Sequence, residues 1–174
     1  MMNIGGAAAG PIATLSEAQA FARVETGEEE AVLAGLIRTA SALCEAFLGQ
    51  VVIERLFSEV VPASSQWQRL QVLPVRSIAE VTSSGIPVPL AAYATDIDSS
   101  GHGWVRITDP AIAGILEVRG TAGIAASQNA VPEPIRQGVL RLVAHLFGSR
   151  DGDRGEIPAA VTALWRPYRR MRLR

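Results

Sequence analysis

The spacing of apolar residues changes twice along the chain, and this constrains the fold more than any other feature. Between Glu28 and Leu48, the residues Leu33, Leu36, Ile37, Ala40, Cys44, Phe47 and Leu48 fall in one stripe at 3.6-residue spacing, with Arg38 and Glu45 off it. From Val51 to Gly120 short β-branched or aromatic runs alternate with charges and turn residues, the signature of half-buried strands. From Val131 to Arg150 helical spacing returns through Ile135, Val139, Leu142, Val143 and Leu146. The order helix, strand, helix predicts an α+β fold: a small helical bundle, two N-terminal and two C-terminal helices, with an antiparallel β-sheet inserted between the pairs.

Local signals set the boundaries. Residues 1–13 are glycine- and alanine-rich without periodicity and are expected to form a flexible arm. Thr14-Leu15-Ser16-Glu17 fits a capping box, so a short helix is expected over 16–24. After Gly27, the carboxylates of Glu28, Glu29 and Glu30 suit the positive end of a second helix over 28–48, which Gly49 terminates. Within the β insert, 51–120, the runs Val51-Val52-Ile53, Leu56-Phe57 and Val60-Val61, broken by charges, read as half-buried strand, and further strands are expected at Leu70–Leu73, Ile78–Val81, Tyr93–Ile97, Trp104–Ile107 and Ile115–Val118. Ser84-Gly85 marks a turn, and Pro87 and Pro89 suit an edge or an extended connection. A third helix is expected over 132–150, where Pro132 and Pro134 are tolerated in the first turn and Gly138 leaves room for a close neighbour. A polar loop, Asp151–Glu156, leads to a fourth helix over 158–166 that Pro167 ends or kinks. The expected organisation is an arm (1–13), one domain (14–165) and a basic tail (166–174).

Composition narrows the class. The chain has 174 residues, 48% of them hydrophobic and 5% aromatic, so a core of Ala, Val, Leu and Ile is within reach. One cysteine, Cys44, precludes an internal disulfide framework, and two histidines leave little scope for a cysteine–histidine zinc module. No uninterrupted apolar run approaches the length of about 18 residues that a membrane span needs, and the N-terminal stretch lacks the basic residues of a signal peptide. A soluble protein made in the cytoplasm, without a membrane partner, is expected. All 16 basic residues are arginine. They are unevenly placed: residues 1–165 hold 11 Arg against 17 acids, a net of −6, whereas 166–174 hold five Arg and no acid.

A search for chemistry finds no catalytic constellation. Asp96-x-Asp98-x-Ser100-Gly101 copies the first half of a calcium loop, but Ile107 stands where the bidentate glutamate belongs, and an ordinary turn explains these residues better. Gly101-His102-Gly103 begins a dinucleotide fingerprint that Arg106 breaks. Cys44 lies within an apolar stripe, which points to a buried structural thiol. His145 flanks the core face of the third helix with no third group tied to it, and Asp151 and Asp153 sit among glycines beside Arg154. No enzyme activity, cofactor or metal is expected.

The tail is different. Trp165-Arg166-Pro167-Tyr168-Arg169-Arg170-Met171-Arg172-Leu173-Arg174 alternates arginines with large apolar groups. Trp, Tyr and Arg are the residue types that concentrate at binding hot spots, and a guanidinium fork matches carboxylate or phosphate. The residues alone leave two partners open, an acidic protein surface and nucleic acid.

Several segments together resemble the small head–tail connector (adaptor) proteins of long-tailed bacteriophages and phage-derived gene transfer agents. These are Leu15-Ser16-Glu17-Ala18 with the acidic turn Glu25 to Glu30, Cys44-Glu45-Ala46-Phe47-Leu48-Gly49, Val131-Pro132-Glu133-Pro134-Ile135-Arg136-Gln137, Leu142-Val143-Ala144-His145-Leu146-Phe147, and Ile157-Pro158 through Leu164-Trp165-Arg166-Pro167-Tyr168-Arg169. The resemblance spans about residues 14–169, and order and spacing carry it. It implies a structural virion protein at the portal vertex, between head and tail. Such a protein docks on the portal as a dodecameric ring, extends the DNA channel and supports a stopper or tail-completion protein. DNA would pass through without specific binding. By the same resemblance the C-terminal segment reaches the portal, with Trp165 and Tyr168 as apolar anchors and Arg166, Arg169, Arg170, Arg172 and Arg174 pairing with acidic groups. The alternative is a nucleic-acid-binding protein using the arginine-rich tail.

Overall fold

The chain divides into two units: a helical unit, Gly10–Val52 with Ala125–Arg174, and a β unit, Met1–Ala9 with Ile53–Ile124. The structure, a computed structural model, describes residues 2–3, 10–23, 27, 29–148 and 156–170. Together the units make the expected α+β fold.

In the helical unit the capping box forms as expected. The Thr14 amide donates to Glu17 Oε2 at 2.7 Å, and the Glu17 amide donates to Thr14 Oγ1 at 3.1 Å. This starts α1, Leu15–Ala22, which ends at Arg23 in the left-handed region (φ 56°). Helix α2 runs Glu30–Leu48 and closes at Gly49 (φ 66°), whose amide donates to the Glu45 carbonyl. Leu33, Ile37, Ala40, Cys44 and Leu48 are buried along it, while Leu36 and Phe47 are half-buried. By length and composition α2 is apolar enough to cross a membrane, although Arg38 and Glu45 interrupt its apolar run. Here its buried stripe packs against α1 and α3, Glu133–Gly148. Helix α4, Ala159–Trp165, passes into a 3₁₀ turn, Arg166–Tyr168, at Pro167. The expected loop residues 151–155 and the last residues of the expected first and third helices lie outside the described residues.

Ile12 and Ala13, assigned to a flexible arm on glycine content, are fully buried, and the Ile12 amide donates to Ser41 Oγ at 3.2 Å. Their apolar side chains are enough to seat residues 12 and 13 in the core. Likewise Val51 and Val52 are buried without forming a strand, because the Val52 amide donates to the Glu45 carboxylate at 2.8 Å.

The β unit holds two antiparallel sheets where one was expected. The first has the order β1 (Met2–Asn3), β2 (Arg55–Pro62), β8 (Ile115–Ala122), β4 (Val75–Ser83), β5 (Ile86–Pro87); the second has the order β3 (Gln68–Arg69), β7 (Gly103–Ile107), β6 (Tyr93–Ile97). Alternation along β2 buries Phe57, Glu59 and Val61 and exposes Leu56 and Val60. Ser84 and Gly85, both with positive φ, turn β4 into β5, and Pro87 sits on that sheet's edge.

Leu70–Leu73, expected as a strand, is a bend instead. The carboxylate of Glu59, 2% exposed, accepts the amides of Gln71 (2.7 and 2.9 Å) and Val72 (3.1 Å). The Leu70 amide still donates to the Gly103 carbonyl at 2.8 Å, but the next two amides, which a ladder would have paired, are taken by one buried side chain, and the strand stops at Gln68–Arg69.

Candidate functional site

The basic segment grows from a rigid foot. Trp165, the last residue of α4, is fully buried and donates its indole N–H to the Ile135 carbonyl at 3.1 Å. Gly138 makes this possible: a Cβ there would lie 2.7 Å from Trp165 Cε2. The Phe47 ring stands 5.8 Å from the indole, tilted by 50°. Trp165 is therefore a core residue of the helical unit, buried where the resemblance implied an apolar anchor for the portal. It fixes where the following residues start.

Those residues are then tied to the C-terminal end of α2. Gln50 Nε2 donates to the Tyr168 carbonyl at 2.5 Å, and the Arg170 amide donates to the Leu48 carbonyl at 2.9 Å. The latter bond satisfies one of the carbonyls that a helix end leaves unpaired. A Cβ at Gly49 would come 3.2 Å from the Arg170 carbonyl, so the left-handed cap and the close approach both favour glycine there. The Arg169 guanidinium lies 5.1 Å over the Phe47 ring. Tyr168 is half-buried, and Arg166, Arg169 and Arg170 are exposed. Among the described residues none of these three arginines pairs with a carboxylate. Arg169 and Arg170 sit near the negative end of the α2 dipole, which favours cations. Arg172 and Arg174 lie outside the described residues. The result is a group of three guanidinium donors on a fixed backbone, suited to carboxylate or phosphate.

The other candidates resolve into structural roles. Asp98 accepts the amides of Ser100 (2.8 Å) and His102 (3.0 Å), and its Oδ2 meets the His102 ring at 3.1 Å. The His102 amide, chiefly, holds its carboxyl below the usual range. These residues cap the β6–β7 hairpin, with Asp96 in β6 opposite Trp104. No group of three metal-capable side chains occurs among the described residues. Cys44 is fully buried, and burial pushes its thiol far up. His145 is half-buried on α3.

Two features were not foreseen from the residues. Glu59 grips the Gln71–Val72 backbone, a contact between residues with no short-range sequence signal. Arg136 joins Glu17 (3.3 Å) to Glu133 (3.4 Å), linking the α1 cap to α3. Glu17 is held below the usual carboxylate range, first by the Thr14 amide, with Arg136 adding to the effect and burial opposing it.

No protein-family model matches the chain, and no curated protein matches it. Solved structures do. The chain is similar to one in the neck of an empty gene transfer agent particle computed with C6 symmetry, at 26% identity and TM-score 0.77, covering 99% of this chain and 97% of that one. It is similar to a chain in the virion of the native gene transfer agent particle, at 24% identity and TM-score 0.77 with the same coverage. A chain in the neck of the native particle computed with C12 symmetry matches at 23% identity and TM-score 0.74, again over 99% and 97%. The last two similarities establish the fold.

Proposed function

We propose that this chain is a structural virion protein of the neck, a head–tail connector that docks on the portal as a ring, extends the DNA channel and supports the stopper or tail. The observation that carries this is end-to-end likeness to chains from gene transfer agent necks, with neither chain leaving a domain unmatched. Neck symmetry of order 6 and 12 in those particles supports a ring of twelve copies. In this reading the chain is not an enzyme, and its location is the virion, between head and tail.

The docking surface is the fixed arginine group. Arg166, Arg169 and Arg170 reach carboxylates of the portal, Tyr168 adds an apolar contact, and Arg172 and Arg174 extend the same charge. Trp165 contributes indirectly, by holding the backbone from which they project. The acidic balance of residues 1–165, −6, disfavours adhesion of DNA phosphates to the ring.

Electron microscopy of the protein mixed with the portal protein of the same genome tests this. The wild type is compared with a variant carrying Arg166→Glu, Arg169→Glu and Arg170→Glu. A ring of added density on the portal, lost in the variant, is the expected result. Density with neither protein would overturn the connector reading. Equal density with both would remove the arginines from the joint.

A further inference from the structure

The three-stranded sheet carries a surface that portal docking leaves unused. Arg69 pairs with Trp104, and Gln68 with Val105, so the next pair along places Trp67 opposite Arg106 on the face that holds Arg69 and Trp104. The Arg106 guanidinium lies 4.8 Å over the Trp67 ring. On the other face Val105 and Ile107 are buried. Trp67 is 41% exposed, Arg69 and Arg106 are exposed, and Trp104 is half-buried. Of the three tryptophans, Trp165 is core and the other two share this face. Neither Arg69 nor Arg106 pairs with a carboxylate among the described residues.

Exposed tryptophan flanked by arginine has the composition of a protein–protein hot spot. It makes a poor phosphate surface, because two arginines offer about two phosphate contacts at most. The complementary chemistry is an acidic segment with apolar neighbours, and the chain carries one. Glu25, Glu28, Glu29 and Glu30 put four carboxylates in six residues. Glu29 and Glu30 stand at the start of α2, with Phe21 of α1 41% exposed and Val32 of α2 46% exposed. A head-to-tail ring needs two different, matching surfaces on each copy.

We propose that the Trp67–Arg69–Trp104–Arg106 face of one copy receives the acidic start of α2 of the next copy. This contact rests on the ring reading above, and the test keeps the two separable.

Cross-linking the portal-docked ring tests it. Gln66 and Ala31 are exposed and adjoin the two surfaces, and Cys44 is buried. A chain carrying both Gln66→Cys and Ala31→Cys, treated with a short bis-maleimide, yields a ladder of covalent multimers; neither single variant does. Arg69→Glu with Arg106→Glu reduces ring and ladder at least tenfold, with no more than the small fall in the monomer's thermal midpoint that loss of the Arg106–Trp67 stacking brings. Glu29→Arg with Glu30→Arg in the same chain restores both. A docked ring without a ladder overturns this contact and spares the ring reading, whereas absence of any ring overturns both. A ladder indifferent to charge reversal overturns recognition by the arginines. Protection of a cysteine at position 66 by single-stranded DNA, in place of assembly, assigns the face to nucleic acid and likewise overturns the proposal.

Discussion

The Trp165 indole N–H donates to the carbonyl of Ile135 across the notch left by Gly138, and the exposed arginines begin one residue later. The stability of the helical unit and the placement of the basic segment therefore depend on one side chain. Trp165→Phe, which loses the bond and keeps most of the apolar contact, is expected to cost about 1 kcal/mol. Trp165→Ala is expected to cost about 3–5 kcal/mol. Gly138→Ala gains helix propensity of about 1 kcal/mol, but overpacking of about 1–3 kcal/mol against the indole outweighs it. Chemical denaturation of the three variants gives the order directly.

The arginines behave differently. Arg166→Glu and Arg170→Glu change exposed side chains, so stability should move by no more than about 0.5 kcal/mol. Arg169→Glu also loses its stacking on Phe47, for about 0.5–1 kcal/mol more. Portal docking, measured by sedimentation with the portal, should weaken more than tenfold in the triple variant. Truncation is a cruder probe. Removing 166–174 also removes the bonds from Gln50 to Tyr168 and from Arg170 to Leu48, whereas removing 171–174 leaves both.

Glu59→Gln places an amide group where only an acceptor fits, facing the amides of Gln71 and Val72. A loss of about 1–3 kcal/mol is expected. Hydrogen exchange localises it: the amides of Gln71 and Val72 should lose protection before those of β8. Uniform loss across the β unit would contradict the local role.

Acid should destabilise the fold through named carboxyls. Glu17, Asp98 and Glu117 are each held below their ordinary values: by the Thr14 amide, by the His102 amide and by the Arg119 side chain respectively. A lowered folded value means that their contribution is complete above the unfolded value of about 4 and is lost as pH falls through the folded one. The thermal midpoint should be flat from neutral pH to about 5 and fall below that. Glu17→Gln and Asp98→Asn should each reduce the fall; an unchanged profile in both would remove them as its cause.

Cys44 is fully buried on α2, and its thiol is pushed up by burial. A maleimide should fail to label it in the native protein and should label it at the rate of unfolding in denaturant. Rapid native labelling would mean that α2 detaches locally from α1 and α3.

Much of this architecture is written in short-range pattern. Thr14 and Glu17 are three residues apart, so their reciprocal cap is legible from spacing. The stripe from Leu33 to Leu48 and the glycine that ends it depend only on the helical repeat, and β6 falls at Tyr93–Ile97 as alternation and flanking turns predict. Gly138 was legible as a gap, though not what fills it. Tertiary structure alone decided the rest, because the partners are far apart in sequence. Trp165 is apolar enough for a core or an interface, and only the notch at Gly138, with the carbonyl of Ile135 beside it, sends it inward. Leu70–Leu73 has the composition of a strand, yet the Glu59 carboxylate takes the amides of Gln71 and Val72. Local propensity specifies elements to within a few residues. Which polar group satisfies a distant amide, and which aromatic is buried, are set by packing energies that exceed propensity and leave no mark in nearest-neighbour sequence.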